Sequence, residues 1–103
     1  MSDRIPVAPA SEFQKGRMEV VECDGRQVLV CATAEGVYAL ENRCSHADQA
    51  LSEGKLKGHR IICPLHGAAF DVRTGEALSR PARDAIDTFP VVLEDDHVFI
   101  EAP

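Results

Sequence analysis

The chain has 103 residues, a formal net charge of −6, a pI near 5.1 and four cysteines. That length favours one domain over 1–103 with a single core and no room for a large substrate cavity. The acidic balance excludes nucleic acid as a general partner, because phosphate binding needs surplus Lys and Arg, and it suits a protein kept monomeric by its charge. No apolar run approaches the roughly 18–20 residues of a membrane span, and the opening MSDRIPVAPA has no apolar signal core. We therefore read the chain as cytoplasmic. In such a chain, cysteines near histidines point to metal before disulfides.

In chain order, Met18–Cys23 is the first strand expected. Asp24-Gly25 is a two-residue hairpin turn, and Gln27–Thr33 returns. Ala34–Gly36 turns again into Gly36–Leu40. Residues 41–58 are polar and charged and read as loops, with Ala47–Leu51 the single weak helix candidate. Arg60–Cys63 is a brief strand running into Pro64. Ala69–Val72 and Glu76–Leu78 form a hairpin across Thr74-Gly75. Ile86–Leu93 and His97–Ile100 close the chain across Glu94-Asp95-Asp96, and Pro90 marks an edge or a bulge because it cannot donate to a ladder. About eight to ten short strands imply an all-β antiparallel sandwich or small barrel.

Chemistry concentrates in two loops, within about residues 43–70. Cys44-Ser45-His46 is a C-x-H pair, Cys63-Pro64-Leu65-His66 is a C-x-x-H pair, and sixteen residues separate them. Two Cys and two His suit either tetrahedral zinc or a [2Fe–2S] centre in which His replaces Cys on one iron. Zinc sites of the Cys₂His₂ kind pair Cys with Cys and His with His. Here each loop supplies one thiolate and one imidazole, so one iron can take both sulfurs and the other both nitrogens. Cys23 and Cys31 lie in strands among valines and read as small buried hydrophobes. His59 and His97 read as surface residues.

The C-S-H and C-P-L-H-G motifs at this spacing resemble the cluster-binding motif of the Rieske family. GVYALENRCSH, CPLHGAAFDVRTGEAL, the Pro-containing loop Ser79–Arg83 and TFPVVLEDDHVFIE extend the resemblance to stand-alone Rieske ferredoxins over nearly the whole chain. The resemblance implies a Rieske-like sandwich with a loop-built cluster-binding subdomain. It also implies one [2Fe–2S] cluster, with Cys44 and Cys63 on the inner iron and His46 and His66 on the outer, near-surface iron. The loop around Pro81 would cover it. By the same resemblance the protein is not itself an enzyme. It carries single electrons from an NAD(P)H-dependent flavin reductase to a terminal ring-hydroxylating oxygenase. Two alternatives stand beside this: a small subunit of an assimilatory nitrite reductase, whose fold is similar, and a structural zinc module.

Two neutral imidazoles in place of two thiolates make the cluster less negative and raise its potential above that of plant-type ferredoxins. High-potential Rieske proteins add a disulfide between the cluster loops and two hydroxyl donors. The matching positions here are Gln49 and Leu65, and Ala68 and Phe70. These imply the low end of the Rieske range, near roughly −150 mV. A potential that falls with pH as His46 or His66 deprotonates is also expected. Finally, Arg43, Lys55, Lys57 and Arg60 outnumber Asp48 and Glu53 across 43–60, making the cluster-bearing segment basic on an acidic chain.

Overall fold

The computed structural model describes residues 4–23, 25–44, 49–64, 67–79 and 84–101. Within them the strands are β1 (Arg4–Pro9), β2 (Met18–Cys23), β3 (Arg26–Thr33), β4 (Gly36–Glu41), β5 (Lys55–Lys57), β6 (Arg60–Ile62), β7 (Ala69–Asp71), β8 (Thr88–Phe89), β9 (Val91–Glu94) and β10 (His97–Glu101). They pair antiparallel in three sheets, ordered β1-β10-β9, β2-β3-β4-β8 and β5-β6-β7.

The β2-β3-β4-β8 sheet lies between two cores, and β3 explains why. Its side chains alternate between faces, and both faces are apolar. Val28, Val30 and Ala32 join Ala39, Phe89, Val98 and Ile100, so this face packs on the β1-β10-β9 sheet. Leu29 and Cys31 join Leu40, Ile61, Phe70 and Val72, so the opposite face packs on the small β5-β6-β7 sheet. Cys23 and Cys31 are buried core residues, as their apolar neighbours imply, and burial pushes the Cys31 thiol up to about 12.

Several elements depart from the sequence reading. β1 was not foreseen, because RIPVAP carries two prolines. The strand lies at a sheet edge, where a missing donor is tolerated, and its register with β10 shifts between Pro6 and Ala8. Residues 41–58 are not all loop, since β5 forms there on a three-residue alternation too short to stand out. The helix candidate Ala47–Leu51 is not a helix where it is described. Residues 47–48 lie outside the described residues, and a single 3₁₀ turn follows at Leu51–Glu53. Glu76–Leu78 contributes one bridge, Phe70 to Ala77, rather than a strand.

Pro90 divides the expected Ile86–Leu93 strand. Phe89 pairs with Ala39 in the middle sheet, and Val91 pairs with Ile100 in the outer one. The proline therefore sits where the chain leaves one sheet for the next. Beyond it, Asp95 and Asp96 both adopt positive φ (52° and 60°) in a two-residue hairpin between Glu94 and His97.

Candidate metal centre

Cys44 follows β4 after two residues, and Cys63 directly follows β6. Each opens a loop and closes it with its own backbone. The Cys44 amide donates to the Gln49 carbonyl at 2.9 Å, and the Cys63 amide donates to the Ala68 carbonyl at 2.7 Å. Gly67 turns the second loop at φ 70°, a conformation costly for any residue with a Cβ.

Asn42 anchors the first loop from beneath. It is 6% exposed. Its Oδ1 accepts from the Ser52 amide at 2.7 Å, and its Nδ2 donates to Ser52 Oγ and Gln27 Oε1 at 3.1 and 3.3 Å. Its own amide donates to the Gln27 carbonyl at 2.9 Å. A buried amide satisfied on both ends is rigid, so the start of the Cys44 loop is fixed to the end of the middle sheet. Gln49 Nε2 further donates to Glu53.

The second loop is held by close backbone approach. A Cβ on Gly54 would lie 1.8 Å from the Ile62 carbonyl oxygen, so only glycine lets the chain pass beside the strand leading to Cys63. Ser79 fastens the segment entering the third loop, because its Oγ accepts from the Ala69 amide at 3.0 Å. The Leu78 amide donates to the Ala69 carbonyl at 2.8 Å.

The two cysteines share one buried cluster with Leu51, Ile61, Ala68 and Phe70, and each is 1% exposed. None of the four cysteines is in a disulfide. Pro64 and Gly67, on the same loop as Cys63, are exposed. The two cysteine side chains are thus sealed from water, while the Cys63 loop reaches solvent at Pro64 and Gly67. His46, His66, Leu65, Asp48 and Pro81 lie outside the described residues. Among the described residues no group of three or more His, Cys, Asp or Glu gathers around a metal position.

The donor chemistry fits an iron–sulfur group on the side described. Two thiols of matched burial in one apolar cluster, each opening a separately closed loop, suit the sulfur-ligated iron of a mixed Cys/His cluster. Ala68 and Phe70 belong to the same cluster at 0% exposure with no hydroxyl to offer.

The remaining histidines are not simple surface residues. His59 and His97 are both half-buried. His59 stands 6.4 Å from the Tyr38 ring, and its Nε2 lies 2.9 Å from Glu35. Glu35 belongs to the β3–β4 turn and His59 to the β5–β6 turn, so the contact ties the small sheet to the middle one. Neither Asn42 nor Ser79 was singled out from sequence. A polar residue in a polar stretch gives no signal until its partners from distant segments are known.

Comparison with known proteins agrees with this architecture. The family model described as Rieske [2Fe–2S] domain matches residues 3–90. The 3-phenylpropionate/cinnamic acid dioxygenase ferredoxin subunit of Shigella flexneri serotype 5b is 37% identical over 103 residues, covering 98% of this chain and 95% of that protein. Among solved structures, the ferredoxin of carbazole 1,9a-dioxygenase from Nocardioides aromaticivorans IC177 superposes with a TM-score of 0.90 at 32% identity, covering 97% of both chains. A chain from the complex of reduced oxygenase and oxidized ferredoxin in carbazole 1,9a-dioxygenase gives a TM-score of 0.90 at 35% identity, covering 94% of this chain and 91% of that one.

Proposed function

Because the chain belongs to the Rieske [2Fe–2S] domain family, we propose that it is the ferredoxin component of an aromatic-ring-hydroxylating dioxygenase system, carrying single electrons from an NAD(P)H-dependent flavin reductase to a terminal oxygenase. The observation that carries this reading is the joint burial of Cys44 and Cys63 in one apolar cluster at the mouths of two self-closed loops, in a chain 37% identical to a dioxygenase ferredoxin subunit.

Cys44 and Cys63 would hold one iron through their thiolates, and His46 and His66 would hold the other through imidazole nitrogens. When bound, the cluster supplies reversible uptake and release of one electron. The protein's own residues set the conditions. Leu51, Ile61 and Phe70, each 0% exposed, keep water from the thiolates. The amide–carbonyl closures at Cys44 and Cys63, with the Asn42 clamp, hold the two loops fixed. Both encounters are brief, so the contact area is small, as in other redox encounters. The chain works as a cytoplasmic monomer made of one domain. No helix among the described residues is long and apolar enough to cross a membrane.

The test is spectroscopic first. Protein purified without oxygen is expected to be red-brown and to give a Rieske EPR signal on reduction. Replacing Cys44, His46, Cys63 or His66 singly by Ala should abolish it. A colourless protein holding zinc would overturn the cluster assignment. A reductase-coupled assay with candidate oxygenases then tests the carrier role. A loaded protein that supports no oxygenase turnover would overturn that role alone.

A further inference from the structure

The β5–β6 hairpin carries a cationic face. Lys55 and Lys57 point to one side of β5, and their cross-strand partners are Ile62 and Arg60. The opposite side is apolar, with Leu56 against Ile61 and Ile61 against Phe70, and it faces the core. Lys55, Lys57 and Arg60 are all exposed.

Three features set this face apart. Among the described residues four other arginines are neutralised in place: Arg4 by Glu94, Arg17 by Glu19, Arg26 by Glu41 and Asp87, and Arg73 by Asp71. Among the described residues Lys55, Lys57 and Arg60 enter no ion pair. Asp71 lies across from Arg60, but its two oxygens are held by Arg73 at 3.1 and 3.0 Å. Secondly, Lys57 and Arg60 sit directly opposite each other, a like-charge pairing that costs stability. Thirdly, residues 54–70 contain no Asp or Glu, although the chain has 17 acids. That acid-free stretch runs through the second cysteine loop, and Lys55 faces Ile62, the residue before Cys63.

We propose that Lys55, Lys57 and Arg60 form the docking face for a carboxylate-bearing patch on the terminal oxygenase. This rests on the ferredoxin reading above and names the surface that reading needs. A net charge of −6 would repel an acidic partner, whereas a local cationic face that begins at Lys55, across from the residue before Cys63, and runs to the β5–β6 turn would orient it on this side of the molecule. Such complementarity acts mainly on the encounter rate and on orientation. The oxygenase is the partner assigned because a chain 35% identical to this one comes from a ferredoxin–oxygenase complex. A competing role is edge protection, since β5 is an outer strand and lysine there discourages pairing between molecules. Charge reversal separates the two, because glutamate guards an edge as lysine does but repels a carboxylate.

The experiment uses reduced holoprotein in stopped flow, first with ferricyanide as a one-electron anionic oxidant. Repulsion by the whole chain makes the rate rise with salt, whereas attraction at the hairpin makes it fall. A falling rate in the wild type that becomes a rising rate in Lys55→Glu/Lys57→Glu is the expected result. The second arm uses the oxygenase with which the wild type couples. At low ionic strength the double variant should transfer roughly tenfold or more slowly, with the difference closing as salt is added. Arg4→Glu, on the far sheet, should match wild type, and the reduction potential of each variant is measured alongside. Equal ferricyanide salt slopes, unchanged transfer to the oxygenase, or a loss confined to the reductase step would overturn the proposal. Failure of the wild type to couple with any oxygenase would instead fall on the carrier role, and the ferricyanide arm would still decide the charge argument.

Discussion

The amide of Cys63 donates to the carbonyl of Ala68 at 2.7 Å, so the loop holding the Cys63–His66 pair is closed by the residue that opens it. Cys44 makes the same closure to Gln49 at 2.9 Å. Two loops from different parts of the chain thus present a cysteine from the same backbone position. Both cysteines then belong to one buried apolar cluster.

Gly54→Ala tests how tightly the second loop's strand is fixed. The new Cβ would meet the Ile62 carbonyl oxygen at 1.8 Å and its carbon at 2.9 Å, and both are backbone atoms. The β5–β6 register must shift, at a cost of about 1–3 kcal/mol, and cluster content should fall because Cys63 follows Ile62. Gly58→Ala meets no atom within 4 Å and should cost only about 1 kcal/mol for its φ of 60°. Urea unfolding and iron per chain read both. Equal losses in the two variants would refute the steric argument.

Asn42→Leu removes three side-chain hydrogen bonds and leaves the Ser52 amide without its acceptor. A loss of about 1–3 kcal/mol is expected, together with a changed visible circular dichroism of the loaded protein as the Cys44 loop loosens. Asn42→Asp keeps the acceptor for the Ser52 amide and should retain more of both. A spectrum unchanged in Asn42→Leu would show that the loop is positioned by other contacts.

The Asp71–Arg73 pair predicts acid sensitivity. Hydrogen bonds from the Arg73 side chain hold the Asp71 carboxyl below its ordinary value, with burial opposing them. Because the folded value is lowered, the pair stabilises the protein above the ordinary Asp pKa of about 3.9. That contribution is lost as pH falls through the lowered folded value. The stability difference between wild type and Asp71→Asn, from urea titrations between about pH 7 and pH 3, should therefore shrink toward acid. A constant difference would remove Asp71 from the account.

Ala68 and Phe70 predict a low potential. Both are fully buried in the cluster that holds Cys44 and Cys63, and neither carries a hydroxyl. The wild type should lie near roughly −150 mV, and Ala68→Ser should raise it by stabilising negative charge on sulfur. Phe70→Tyr should do likewise, at some cost in stability where the hydroxyl lacks a partner. A wild-type value above about +100 mV would defeat this reasoning.

What sequence made legible was the local chemistry. The mixed Cys/His spacing, the strands β2 through β4 and the Glu94-Asp95-Asp96 turn follow from residue type and near neighbours, because strand propensity and turn geometry are local properties, whereas Pro90 was legible as an edge or bulge and not as the place where one expected strand becomes two. β1 and β5 were hidden for the complementary reason. A proline-bearing edge strand and a three-residue strand are made by their partners, β10 and β6, and not by their own propensity. The same holds at the centre. Cys44 and Cys63 were candidate ligands from their spacing and from the family resemblance, but their place in one buried cluster depends on the middle sheet offering Leu29, Cys31 and Leu40 to the small sheet. Asn42, Gly54 and Ser79 act through partners ten or eight residues away or more, so their roles exist only once the chain has folded. The unpaired cations on β5 and β6 sharpen the point: sequence showed a basic stretch, and only the cross-strand register put Lys55, Lys57 and Arg60 on one face, because pairing in a sheet fixes which charges must stand side by side.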